Sequence, residues 1–162
     1  MITSRQKIHP KLIGIRNFTE KDNWGNLDKV DINLVKTLDE LQNSIRPHST
    51  LYISPKPNAV YYETNSTNVR DIMHKAGLSA IIFISGSFYL TLLEMISSPK
   101  IGHINVLFDE YWEEKNLKWA IEFDIRNISK GFSLSFTVNG VTKSVVDNTT
   151  AIALFDLLTK GE

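Results

Sequence analysis

Cysteine is absent from the 162-residue chain. That absence removes disulfides, thiolate metal sites and thiol nucleophiles together, and it suits a reducing compartment better than a secreted one. Net charge is absent too: 18 Lys and Arg balance 18 Asp and Glu, so no overall field draws the chain to a polyanion and nucleic acid is not an expected partner. Alanine is scarce at 6 residues, while Ile (18), Asn (13) and Lys (13, against 5 Arg) are plentiful. AT-rich coding DNA produces that bias, which points to a bacterial or mobile-element gene and has no bearing on fold.

Motifs that carry chemistry are missing as well. His9, His48, His74 and His103 stand apart with no H-x-x-x-H or H-E-x-x-H pair, so no two-ligand metal site forms on a helix face, and no metal or cofactor is expected. The glycines are isolated, and neither G-x-G-x-x-G nor a P-loop occurs. Ser85-Gly86-Ser87 lies between an expected strand and an expected helix, where α/β-hydrolases expose a nucleophile, but the G-x-S-x-G spacing is lacking. Its simpler role is a tight turn whose hydroxyl caps the helix. Residues Met1 to Pro10 have no apolar core or cleavage site of a secretory signal, which gives a cytoplasmic expectation. Arg5, Lys7, Lys11 and Arg16 form a basic start without an acid among them and read as a solvated terminus, partly flexible over 1–16. Asn-x-Ser/Thr triplets at Asn17, Asn65, Asn127 and Asn148 read as coincidence in an Asn-rich chain.

What is present is periodicity, and the length suits one domain spanning 1–162. Leu34, Leu38, Leu41 and Ile45 predict a helix from about Ile32 to Ile45, with Asp31 as cap and Pro47 as stop. Two short runs, Thr50 to Ser54 and Ala59 to Glu63, flank Pro55-Lys56-Pro57-Asn58 and read as a hairpin or two edge strands. A helix over Thr67 to Ala76 should turn Val69, Ile72, Met73 and Ala76 inward, capped by Ser66 or Thr67 and closed by Gly77. Leu78 to Ile96 approaches the length of a membrane span, but Glu94, the Ser, Thr and Gly residues within it and the lack of a flanking lysine cluster favour a buried strand, Ala80 to Ser85, followed by a helix, Ser87 to Ser97.

The later half reads as sheet. Ile104, Val106 and Phe108 alternate, and Leu117, Trp119, Ile121, Phe123 and Ile125 alternate with Lys118, Ala120, Glu122, Asp124 and Arg126, the pattern of an antiparallel strand with one wet face. Phe132 to Val138 and Val141 to Val146 form a hairpin on Asn139-Gly140. A terminal helix over Thr149 to Thr159 should bury Ile152, Phe155 and Leu158 or Leu154, with Gly161 after its end. The expected fold is therefore α+β: a mainly antiparallel sheet of five to seven strands with about four helices packed on it and the Glu122/Asp124 face at least partly exposed.

One segment is suited to binding. Asp109, Glu110, Glu113, Glu114, Glu122 and Asp124 outnumber Lys115, Lys118 and Arg126, and Tyr111, Trp112 and Trp119 are interleaved. The plain alternative is an acidic loop beside a wet sheet face, its aromatics in the core. As a binding face, Tyr111 and Trp112 would supply hot-spot contacts, and the carboxylates would meet a cationic groove such as a nuclease's phosphate-binding site.

The block Leu107-Phe108-Asp109-Glu110-Tyr111-Trp112, with the following strand, Asn139-Gly140 hairpin and terminal helix, covers about one third of the chain and resembles the bacterial immunity proteins that neutralise a cognate toxin, most of all the contact-dependent growth inhibition immunity proteins. The resemblance implies a stoichiometric, non-catalytic inhibitor that binds a toxin domain in the cytosol, shielding its active site or pairing strands with it. No site residue carries over from it. Strand pairing would use an exposed edge, with Thr50 to Glu63 as the candidate. The competing expectation is a small enzyme or ligand-binding protein with a pocket near Ser85-Ser87 and His103.

Overall fold

The computed structural model describes residues 7–126 and 131–160; Arg5, Asn127 and Gly161 lie outside them. Helix α1 (Ile32–Ile45) starts where Asp31 accepts a hydrogen bond from the Asn33 amide at 2.7 Å, and Leu34, Leu38, Leu41 and Ile45 are all buried. Strand β1 (Ser49–Ile53) follows, then α2 (Val69–Lys75), β2 (Ser79–Gly86), α3 (Phe88–Ile96), β3 (His103–Trp112), β4 (Leu117–Asp124), β5 (Ser133–Val138), β6 (Val141–Ser144) and α4 (Asn148–Lys160). The six strands make one sheet in the order β1-β2-β4-β3-β5-β6, antiparallel throughout except for β3 beside β5. Because β2 and β3 are each antiparallel to β4, which lies between them, β2-α3-β3 is a split β-α-β unit. The α+β expectation holds, and the sheet is mixed. Among the described residues no helix is long and apolar enough to cross a membrane.

The pleat sends alternate side chains to two unlike layers. Ile82, Ile84, Ile104, Val106, Ile121, Phe123 and Phe136 join the main core with α1 and α3, while Ile81, Phe83, Leu107 and Ala120 form a smaller cluster on the other face. Irregular chain before α1 is built into the main core through Leu12, Phe18, Trp24, Leu27 and Val30. Lys11 closes the 3-10 turn Leu27–Lys29 by donating to the carbonyls of Leu27, Asp28 and Val30. Asp39, buried on α1, accepts from the amides of Arg16 and Asn17 and from the Asn17 side chain.

Four local expectations differ from the structure. Ala59 to Glu63 is no strand; its backbone bonds go singly to different elements in place of a ladder with one neighbour, Ile81 N to Ala59 O, Tyr61 N to Trp24 O and His74 Nδ1 to Val60 O. Helix α2 leaves Val69 and Ile72 exposed and buries His74 instead, because it docks through polar contacts on the smaller face. In α4 the i, i+4 pair Leu154 and Leu158 is buried, while Ile152 and Phe155 face outward. The alternation of Leu117 to Ile125 breaks at Trp119, whose φ of 68° lies opposite a bulge in β3 between Leu107 and Tyr111. Trp119 therefore enters the main core and Leu117 packs on the smaller cluster.

Candidate functional site

The sheet face opposite α1 and α3 carries the polar chemistry. On β4, Glu122 and Asp124 point there and are buried, not wet. Helix α2 covers Glu122: Arg70 Nε donates to both carboxylate oxygens at 2.9 and 2.7 Å, and His74 Nε2 meets Oε2 at 2.8 Å. The His74 Nδ1 lies 2.6 Å from the Val60 carbonyl, so both ring nitrogens face acceptors. Burial pushes the Glu122 carboxyl up, but the His74 hydrogen bond and the charge of Arg70 outweigh it and hold the group below the ordinary carboxylate range. Asp124 is bound by Arg126, with Nε to Oδ1 at 2.7 Å and Nη2 to Oδ2 at 2.6 Å. The expected exposure of these two acids is thus overturned: each carries a guanidinium that screens it from water.

Ser79, His74 and Glu122 are adjacent but do not form a nucleophile triad. Ser79 Oγ and Glu122 both sit on Nε2 of His74, at 3.2 and 2.8 Å, and Ser79 donates its proton to the Phe123 carbonyl at 3.0 Å. A triad needs the acid on the opposite ring nitrogen and an accessible hydroxyl; Ser79 is 2% exposed. Ser85-Ser87 and His103 are not brought together either. His103 and Ser79 both pair with Asp124 at one end of the sheet, while Ser85 lies six residues along β2, roughly 20 Å away. Ser87 caps α3 by accepting from Leu90 N at 3.1 Å, and its own amide donates to Ser49 Oγ at 2.9 Å. Gly86 has φ 117°, and a Cβ there would sit 2.3 Å from the His48 carbonyl.

The acidic aromatic segment is divided among several tasks. Asp109 accepts from the amides of Asn139 and Gly140, at 2.7 and 2.9 Å, and so fastens the β5-β6 turn, whose two residues have φ 53° and 76°. Glu110 pairs with Lys56 at 3.0 Å. Trp112 folds over the smaller cluster, edge-on to Tyr52 at 5.7 Å and tilted on Phe83 at 5.6 Å, and Lys115 lies over Tyr52 and Trp112. Glu113, Glu114 and Tyr111 remain exposed, although the Tyr111 hydroxyl donates to Asn116. The predicted site residues therefore share no single face.

The sheet edges differ in availability, a property invisible to motif reading. On β1, the Gln42 side chain imitates a neighbouring strand, its Oε1 accepting from Leu51 N at 2.6 Å and its Nε2 donating to Ser49 O at 3.2 Å. At the other end, all four residues of β6 are exposed, and among the described residues nothing pairs with its outer side. A two-residue turn makes Val138 and Val141 a hydrogen-bonded pair, so the backbone groups of Thr142 and Ser144 point outward. The adjoining chain exposes Val141, Val146, Ile152 and Phe155, each more than half accessible. Among the described residues no cluster of acidic and histidine side chains could hold a metal ion. No family model, curated protein or solved structure matches this chain.

Proposed function

We propose that this chain is a non-catalytic bacterial immunity protein that binds and neutralises a cognate toxin domain, a nuclease, in the cytoplasm by adding a strand of the toxin to the outer edge of β6. The observation that carries the reading is that edge: unpaired among the described residues, with the outward amides of Thr142 and Ser144, a single charge at Lys143, and a border of the exposed Val141, Val146, Ile152 and Phe155. An open edge bordered by apolar side chains is a template for pairing, and sheets usually blunt such edges with charge, proline or a cover. β1 has its cover in Gln42, which moves the candidate edge away from Thr50 to Glu63. A basic partner is supported by Asp109, Glu113 and Glu114, because Asp109 fastens the β5-β6 turn and so joins the acidic segment to the hairpin. The ligand-pocket alternative loses support from the separation of Ser85-Ser87 and His103.

Affinity purification from the native host, with mass spectrometry, tests the reading: one basic toxin-like protein should copurify in one-to-one ratio. Ser144→Pro and Thr142→Pro each remove an outward donor without removing a backbone bond to β5, and Thr142→Pro also loses the hydroxyl contact to Thr137. Together they should weaken binding about thirtyfold, two hydrogen bonds at roughly 1 kcal/mol each. Full affinity in the folded double variant would refute strand pairing, and a native host yielding no partner would refute the immunity role.

A further inference from the structure

Buried carboxylates are a poor way to stabilise a small protein, because desolvation consumes most of what an ion pair returns and apolar side chains of like volume serve as well. Glu122 and Asp124 stand two apart on β4, 4% and 3% exposed, beside a cluster made of Ile81, Phe83, Leu107 and Ala120. What they hold is a pair of guanidinium groups at the rim of a cleft of about 220 Å³, with His103 also on its wall. Two residues along a strand separate the Glu122 and Asp124 backbones by roughly 7 Å.

The donors are only partly spent. Arg70 commits Nε alone to Glu122, and both of its Nη groups are without a partner among the described residues. Arg126 commits Nε and Nη2 to Asp124. His103 Nδ1 is engaged by Ser133, and its Nε2 makes no hydrogen bond among the described residues. The carboxylate oxygens, by contrast, are already taken up by Arg70, His74 and Arg126, and the two carboxylate charges are balanced by the two guanidinium groups, so what the cleft offers is unspent N–H groups, which suit the oxygens of an anion and not a cation.

We infer that this cleft is a receptor site for a tetrahedral oxyanion, a phosphate or phosphate monoester, bridged between the guanidinium groups of Arg70 and Arg126 with His103 beside it. Two oxygens of a phosphate lie about 2.5 Å apart, and a hydrogen bond of about 2.8 Å on each side lets the ion span roughly 8 Å between donors. The site is independent of the toxin-binding reading and stands or falls separately.

The test is an NMR titration of the full chain with inorganic phosphate, and in a second arm adenosine monophosphate, at constant ionic strength set with sodium chloride. The expected result is a saturable shift of the Arg70 Nε–H and His103 ring signals at millimolar phosphate, weakened about tenfold in Arg70→Lys, which keeps a cation for Glu122 but loses the planar fork. Tighter binding of adenosine monophosphate assigns a monoester, and tighter binding of phosphate assigns the free ion. Should Arg70→Lys not fold, His103→Ala serves through the Arg70 signal, with about threefold weakening expected. No saturable shift up to about 50 mM phosphate, an equal shift with chloride, or unaltered binding in the folded variant would overturn the inference.

Discussion

Replacing Glu122 by glutamine keeps the side-chain volume and removes the charge that Arg70 and His74 share. Glu122 is 4% exposed, so water offers little compensation when Arg70 and His74 are left facing an amide. Breaking one partner of a buried ion pair costs about 3–5 kcal/mol, and the lower end applies here because the amide oxygen still accepts one hydrogen bond and Arg70 is largely wet. About 3 kcal/mol corresponds to a fall in Tm of roughly 6–12 °C for a chain of this size. The loss also has a pH signature. The folded state holds the Glu122 carboxyl below its ordinary value of 4.5, so its contribution is complete above that value and disappears as pH falls through the folded pKa. Urea unfolding of both proteins at pH 7 and at steps down to about pH 3 should give a difference that is largest at neutral pH and shrinks in acid. A difference under about 1 kcal/mol at pH 7, or one constant across this range, would refute the reasoning.

Other perturbations probe the remaining supports. Asp109→Ala removes two bonds to the β5-β6 turn; it should cost about 1–2 kcal/mol and speed hydrogen exchange at Asn139 and Gly140, followed by NMR. Gln42→Ala uncovers the β1 edge and leaves the Leu51 amide and Ser49 carbonyl without their partner. A loss of about 2–3 kcal/mol and concentration-dependent association by light scattering are expected. Gly25→Ala places a Cβ 2.1 Å from the Tyr61 carbonyl at φ 81°, so calorimetry should record a destabilisation of more than about 3 kcal/mol.

Elements with strong local signals were legible in the sequence. The Asn139-Gly140 hairpin follows from two residues that tolerate positive φ, and α1 follows from Leu34, Leu38, Leu41 and Ile45 with Asp31 ahead of them. The burial of Glu122 and Asp124 was not legible, because alternation says which residues share a face and is silent on what covers it; the cover is supplied by Arg70, 52 positions away, and by Arg126. The role of His74 is hidden for the same reason, because its partners Val60 and Glu122 are distant in sequence. In α2 and α4 helical spacing misplaces the inner face, since Val69, Ile72, Ile152 and Phe155 repeat at that spacing yet lie on the outer side. The open edge of β6 is a property of sheet order, and the parallel placement of β5 against β3 that creates it has no local signature.

The central proposal is that a toxin strand pairs with β6, and backbone hydrogen exchange reads that contact most directly. Exchange at Thr142 and Ser144 should be fast in the free protein, where both amides face outward, and slowed at least about a hundredfold in the complex with the copurified partner. Exchange at these two amides that is equally fast in free and bound protein, with new protection confined to other surfaces, would contradict the account.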